Sequence, residues 1–265
     1  MSDLALIAGR GGLPLAVVQA LAERPYICAM DGCAPDGLTA DLTFRAERLV
    51  PLFRHLSDRG ITRIAFAGAI SRPRFDPSLF DPATAQLMPQ LLAVLAGGDD
   101  ATLRGILALV EEFGFAVAGI EAVAPLLLPG TGVLAGSVPP EAEADAVRAA
   151  AIVAALGAVD VGQGCVVADG LCLALEALPG TDRMLAQVAA LPEALRPDRR
   201  GLLYKAAKPG QDRRVDLPTL GPATLRGTHA AGLAGVAFQA GSVICLDLPE
   251  MQALASQLGL FLWAR

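Results

Sequence analysis

The stretch "LALIAGRGGLPLAVVQALAER", residues 4–24, sets the fold. It opens with a short continuous apolar run that stops at Gly9, the pattern of a strand buried on both faces. From Leu13 onward the apolar residues return at helical spacing, with Pro14 in the first turn, where its missing N–H is not needed. Strand, glycine turn and helix open an α/β unit. The alternation continues outward through a strand at "YICAM" (26–30), a helix at "LVPLFRHLSDRG" (49–60), a strand at "RIAFAG" (63–68) and a fourth strand at "FAVAGI" (115–120). Between the last two, "DPATAQLMPQLLAVLAG" (81–97) and "DDATLRGILALVEEFG" (99–114) each begin at an aspartate suited to a helix N-cap and end at glycine, which predicts two helices. Such alternation implies a parallel sheet with helices on its faces.

A Gly/Pro-rich segment, "PLLLPGTGVLAGSVPP" (125–140), then breaks every periodicity, and the domain boundary is expected near residue 135. After a helix at "EAEADAVRAAAIVAALG" (141–157), the segment "GCVVADGLCLALEAL" (164–178) reads as two strands joined across Asp169-Gly170, a strong short-hairpin signal. Further strands are expected at "GLLYKAA", "GVAFQAG" and "SVICLDL", with a second hairpin at Ala240-Gly241 and helices between and after them. The fold class expected is α/β, with a Rossmann-like parallel-sheet domain over residues 1–135 and a mixed α+β domain over 136–265.

Composition narrows the function. A formal net charge of −6 over 265 residues argues against a nucleic-acid partner, because phosphate backbones select basic faces. No run reaches the roughly 20 apolar residues of a membrane span. The start "MSDLALIAGRGG" lacks the basic region and long apolar stretch of a secretion signal, so a cytoplasmic location is expected. Five cysteines with no C-x-x-C pair read as buried free thiols. No Gly-x-Ser-x-Gly elbow or phosphate-binding P-loop is present, which argues against triad catalysis.

Several loops carry chemistry. "GRGGLP" (9–14) lies where a strand hands over to a helix, a place where backbone N–H groups can meet a phosphate, although a purely structural turn has the same look. "GAISRPRF" (68–75) follows the third strand at its carboxyl end and offers Arg72 and Arg74, and "GGDDATLR" leads into a helix through Asp99 and Asp100. "EALPGTDRML" (176–185) places Glu176 at a strand end and Asp182 after a glycine turn, where it suits a helix cap equally well. "KAAKPGQDRRVDLP" (205–218) is the densest, setting Asp212 and Asp216 four residues apart beside Lys205 and Lys208. Carboxylates in one place bind Mg²⁺, and lysines beside them bind a phosphate the metal bridges, so the segment points to phosphoanhydride chemistry.

Set in order, "IAGRGGLP", "GDDATLR", "VDVGQGCVVADGLCLALEALPGTDRML", "KAAKPGQDRRVDLPTLGPATL" and "AGLAGVAFQAG" resemble the LpxI-type UDP-2,3-diacylglucosamine pyrophosphatases of lipid A biosynthesis, from residue 4 to the end. The resemblance implies a two-domain hydrolase that encloses its substrate between the domains, uses Mg²⁺, and splits the diphosphate into UMP and 2,3-diacylglucosamine 1-phosphate, lipid X. On this chain it assigns Asp216 and Asp212 to metal binding or water orientation, Lys205 and Lys208 to the diphosphate, and Asp182 to the metal. Substrate contacts are expected at Gly11, Gly12, Leu13, Arg72, Asp99, Thr181, Gln211 and Thr224. Pro179 and Gln239 stand where relatives commonly carry acidic residues, so neither is expected to hold metal. The lipid-linked nucleotide sugar further implies peripheral contact with the inner membrane, and family likeness implies a homodimer. The alternatives are a pyrophosphatase for a soluble nucleotide sugar and a non-catalytic nucleotide-binding module.

Overall fold

A computed structural model describes residues 2–71, 73–96 and 99–265, with the side chains of Asp99 and Asp100 outside the description. The chain divides into two compact units, Met1–Pro125 with Asp212–Asp216, and Leu126–Gln211 with Leu217–Arg265.

The first unit runs β1 (Leu4–Ala8), α1 (Leu13–Ala20), β2 (Tyr26–Met30), β3 (Leu42–Phe44), α2 (Leu49–Asp58), β4 (Arg63–Ala67), α3 (Pro82–Gln86), α4 (Met88–Leu95), α5 (Asp99–Glu112), β5 (Ala116–Val117) and α6 (Ile120–Val123). Its five strands stand in the order β3-β2-β1-β4-β5, all parallel. Every residue of β1 is buried, as its uninterrupted apolar run requires of a central parallel strand. One face packs Ile7, Cys28 and Ile64 against Leu52, Phe53 and Leu56 of α2, Leu91 of α4 and Val110 of α5. The helix expected over 81–97 is two helices that break at Leu87. Asp81 caps the first by accepting from the Ala83 and Thr84 N–H groups. Pro89, which cannot donate an amide hydrogen, sits in the first turn of the second, where that donor has no helical acceptor to lose. The strand β3, three residues long, is too short to stand out in the sequence; its neighbour β2 supplies the pairing.

The second unit continues with β6 (Gly132–Ala135), α7 (Ala142–Ala158), β7 (Gly164–Ala168), β8 (Leu171–Leu175), α8 (Gly180–Ala189), β9 (Leu202–Lys205), β10 (Thr219–Leu220), α9 (Pro222–Ala230), β11 (Gly235–Phe238), β12 (Ile244–Cys245), α10 (Leu248–Leu258) and β13 (Phe261–Ala264). Six strands form a mixed sheet in the order β6-β13-β11-β9-β7-β8, with β9, β11 and β13 parallel at its centre and β6, β7 and β8 antiparallel additions. The Asp169-Gly170 hairpin forms as its sequence dictates, both residues adopting positive φ in the two-residue turn between β7 and β8. The hairpin expected at Ala240-Gly241 does not form. There β11 pairs in parallel with β9 and β13, while β12 leaves the sheet to pair with β10. Glycine allows a turn but does not choose a strand's partner, and the buried apolar edges of β9 and β13 outcompete β12. The Gly/Pro segment expected to hold the boundary near residue 135 instead contributes β6 to this sheet through pairing with β13, and the division falls at Pro125/Leu126.

Side chains of the central strands alternate between two cores. Leu202 and Tyr204 pack with Ala149 and Val153 of α7, whereas Leu203 packs with Met184 and Leu185 of α8 and Leu225 of α9. Lys205, next in register after Tyr204, therefore falls on the α8 side at the carboxyl end of β9.

Candidate active site

That end of the second sheet holds a buried ionic ring. Lys205 is only 3% exposed and Glu176, just past β8, only 7%. The Lys205 ammonium donates to Thr181 Oγ1 at 2.7 Å and to Glu176 Oε1 at 3.3 Å. The Thr181 hydroxyl donates in turn to Glu176 Oε1 at 2.7 Å. A hydroxyl that both accepts and donates closes the ring between the first turn of α8 and the ends of β8 and β9. Gly164, opposite Lys205 on β7, makes room for it: a Cβ there would lie 2.5 Å from Glu176 Oε2.

The loop after β9 continues the polar edge. Lys208 Nζ pairs with Asp160 at 2.7 Å, and its N–H donates to Gln211 Oε1 at 2.9 Å. Gln163 accepts from the Ala206 N–H through its backbone carbonyl. Among the described residues five buried side-chain atoms lack a hydrogen-bond partner, and three of them, Gln163 Oε1, Glu176 Oε2 and Gln211 Nε2, belong to residues bonded to the 205–208 stretch. Buried polar atoms left unpaired are costly, so their grouping makes this edge a candidate site. Lys205 and Lys208 are also the only lysines in the chain, which otherwise uses arginine for its basic side chains.

Asp212–Asp216 forms a strap that belongs to the first unit. Asp212 accepts from Nε and Nη2 of Arg214 and from its backbone N–H. Those hydrogen bonds and the adjacent guanidinium charge hold the Asp212 carboxyl below its ordinary value. Arg214 also reaches Glu111 of α5 at 2.6 Å, and Arg213 reaches Glu121 of α6 at 3.0 Å. The two arginines thus diverge, as adjacent residues on an extended turn must. The Asp216 backbone N–H donates to the Asp212 carbonyl, and the Asp216 carboxylate makes no hydrogen bond or ion pair among the described residues.

The first unit's own candidate is the turn between β1 and α1. In the order β3-β2-β1-β4-β5 the connections reverse direction between β1 and β4, the place where open α/β sheets bind ligands. Gly9 and Gly68 let the two strand ends touch, since a Cβ on Gly9 would stand 2.6 Å from the Ala69 carbonyl oxygen. Arg10 and Ala69 exchange backbone hydrogen bonds there, and the Arg10 side chain donates to Ser71. Gly11 and Gly12 face open space beyond their Cα atoms, and Leu13 begins α1 with no side-chain cap on its free N–H groups.

The expected site residues therefore separate. Thr181 and Lys205 are brought together, with Lys208 and Gln211 in the following loop. Asp212 and Asp216 share the strap, and Gly11, Gly12 and Leu13 share the β1–α1 turn. Asp182 is exposed on α8 and lines an apolar groove of about 500 Å³ with Leu185, Ala186, Ala223 and Gly227. Thr224 is buried and caps α9 by accepting from the Gly221 N–H at 3.4 Å. Arg72 and the Asp99 side chain lie outside the described residues. Sequence reasoning noted Glu176 at a strand end but gave it no role; its pairing with Lys205 comes from the fold. No group of three or more His, Cys, Asp or Glu suited to a metal occurs among the described residues. Burial pushes the Cys28, Cys165 and Cys245 thiols up to about 12, so they behave as core residues.

The first unit is a parallel sheet with a glycine turn at its switch point, where open α/β sheets bind ligands, and the second a mixed sheet with a buried Lys–Glu–Thr ring. The chain belongs to the LpxI family. Residues 3–127 match the family's "LpxI N-terminal domain" and residues 130–263 its "LpxI C-terminal domain". It is similar to the UDP-2,3-diacylglucosamine pyrophosphatase LpxI of Caulobacter vibrioides, with 38% identity over 272 residues, covering 98% of this chain and 96% of that protein.

Proposed function

We infer that this protein hydrolyses the diphosphate of UDP-2,3-diacylglucosamine in lipid A biosynthesis, releasing UMP and 2,3-diacylglucosamine 1-phosphate. The observation that carries the reading is the match to the Caulobacter enzyme along 98% of the chain, which therefore spans both units.

The residues divide the work as follows. Lys205 has three ammonium donors, two of them used inside the ring, and the third is available to a diphosphate oxygen. Lys208 exchanges its pairing with Asp160 for a phosphate oxygen of the substrate. Both charges oppose the negative charge that grows on the leaving phosphate, and such donors act most strongly where water is excluded, as it is around Lys205. The α1 N-terminus at Gly11, Gly12 and Leu13 offers free N–H groups to a phosphate.

Mg²⁺ belongs to this reading. It is usually held by one or two carboxylates together with substrate phosphates, and Asp216 supplies an uncommitted carboxylate, whereas Asp212 already serves Arg214. Bound there, the ion would supply charge neutralisation to the diphosphate. Asp212 then acts by orienting the strap through Arg214, and Asp182 is the weaker candidate ligand because it stands alone on α8.

The substrate's acyl chains extend the reading to peripheral contact with the cytoplasmic face of the inner membrane. Exposed aliphatic residues support it, among them Leu178, 95% exposed, between the Glu176 and Thr181 positions. No described helix is long and apolar enough to cross a membrane. Family resemblance adds a homodimer. The test is to incubate the purified protein with UDP-2,3-diacylglucosamine and, separately, UDP-glucose, with and without Mg²⁺, and follow UMP. UMP from the lipid substrate in the presence of Mg²⁺ is the expected result. Release from UDP-glucose alone would replace the reading with that of a soluble nucleotide-sugar pyrophosphatase.

A further inference from the structure

Glu176 is buried, charged and only half satisfied. Its Oε1 accepts from both Lys205 and Thr181, while Oε2 is buried with no partner among the described residues. An ion pair retained for stability would be expected to satisfy both carboxylate oxygens, because burying two charges costs several kcal/mol that only good geometry recovers. The backbone accommodates the arrangement instead of relieving it. Gly164 stands where any side chain would meet Oε2, and the Glu176 N–H donates to the Gly164 carbonyl at 2.9 Å. Lys205 is the last residue of β9, at the carboxyl edge where loops deliver functional groups. The chain spends one of its only two lysines there.

We propose that Glu176 is a positioning residue for the hydrolytic reaction. Through Oε1 it fixes the Lys205 ammonium and the Thr181 hydroxyl in one ring and thereby sets the direction of the one ammonium donor that the ring does not use. Without that carboxylate, Lys205 rotates among its donors and shares its charge with whatever polar atom is near, so it meets the diphosphate in a fraction of its conformations. Charged neighbours do not take over the task. Among the described residues Lys205 ion-pairs with Glu176 alone; β7 and β11 bring Gly164 and Phe238 opposite it, α8 brings Thr181, and Lys208 is already paired with Asp160. The proposal rests on the reading that Lys205 meets the diphosphate.

Three variants separate the proposal from that reading, each assayed with UDP-2,3-diacylglucosamine and checked for Tm. Glu176→Gln keeps the shape and removes the charge, and lowers kcat about 10- to 100-fold, the size of loss seen when the partner that orients a metal ligand is removed. Glu176→Asp keeps the charge one methylene away and loses only severalfold. Lys205→Met/Glu176→Gln removes both charges, leaves no unpaired ion, and is no more active than Glu176→Gln. Wild-type kcat in Glu176→Gln, or equal losses in the Gln and Asp variants, overturns the positioning role. Wild-type kcat in the double variant instead overturns the role of Lys205 itself. Should Glu176→Gln be recovered only unfolded, Glu176→Asp decides: a severalfold lower kcat at unchanged Tm supports positioning, and wild-type kcat refutes it.

Discussion

The ring of Glu176, Thr181 and Lys205 and the strap of Asp212 to Asp216 use the same ionic chemistry at opposite degrees of burial. In the ring both charges are almost fully withdrawn from water, one carboxylate oxygen has no partner, and the ion pair is set between strand ends. In the strap the pairs Arg213–Glu121 and Arg214–Glu111 are well exposed, and Asp212 is satisfied several times over by its neighbour Arg214. Breaking a buried pair strands a charge in a poor solvent, whereas breaking an exposed one lets water take the partner's place. The ring is therefore costly to alter and sharply specified, and the strap is cheap to alter and adjustable. Yet the strap carries Asp216, the carboxylate proposed for metal, which makes no hydrogen bond or ion pair among the described residues, so stability and turnover should respond to the two regions in opposite order.

The largest effect expected is on turnover in the strap. Asp216→Ala should lower kcat by orders of magnitude, as loss of a metal-orienting carboxylate does, with Tm close to wild type because that side chain makes no hydrogen bond among the described residues. Steady-state kinetics beside a thermal melt tests this, and near-normal turnover would remove Asp216 from the mechanism.

Next comes the ring. Lys205→Met leaves Glu176 as an uncompensated buried charge and should cost about 3–5 kcal/mol of unfolding free energy, read by urea denaturation. Adding Glu176→Gln should recover part of the loss. If the double variant were as unstable as the single one, the ring would owe its cost to packing and not to charge.

Arg214→Ala should cost about 1 kcal/mol or less and should raise the KM for Mg²⁺ more than it changes Tm, because it frees Asp212 and the strap from Glu111. A drop in stability matching that of Lys205→Met would erase the distinction between the two regions.

The smallest effect is acid sensitivity of the strap. Asp212 titrates below its ordinary value in the folded chain, so its contribution is fully present above that ordinary value near 4 and is lost as pH falls through the lowered one. Comparing wild type with Asp212→Asn in urea melts from pH 6 to pH 3 should show a difference that shrinks toward acid. A difference independent of pH would mean that Asp212 contributes through shape alone.

Legibility differed between the units for a physical reason. In the first unit each strand pairs in parallel with its sheet neighbours, and β1, β2 and β4 are short, mostly buried apolar runs, so "LALIAG", "YICAM" and "RIAFAG" announced the sheet, and Asp81 announced the start of α3. In the second, β6 hides inside a Gly/Pro-rich stretch and β13 in "FLWA" near residue 261; β13 becomes a strand by pairing in parallel with β11, and β6 by pairing with β13. The Ala240-Gly241 turn misled for the same reason, since turn chemistry is local and strand choice is not.

The sequence by itself determined the alternation of the first unit, the Asp169-Gly170 hairpin, the concentration of charge at residues 205–218 and the family to which the chain belongs, all of them properties of neighbouring residues or of their order. Only the tertiary structure decided that Lys205 points into a buried ring with Thr181 and Glu176, that Asp212 is committed to Arg214, and that the Asp216 carboxylate makes no hydrogen bond among the described residues. Those outcomes depend on which strand end meets which helix start, and residues 29 positions apart, as Glu176 and Lys205 are, become partners only when the sheet order brings β8, β7 and β9 side by side.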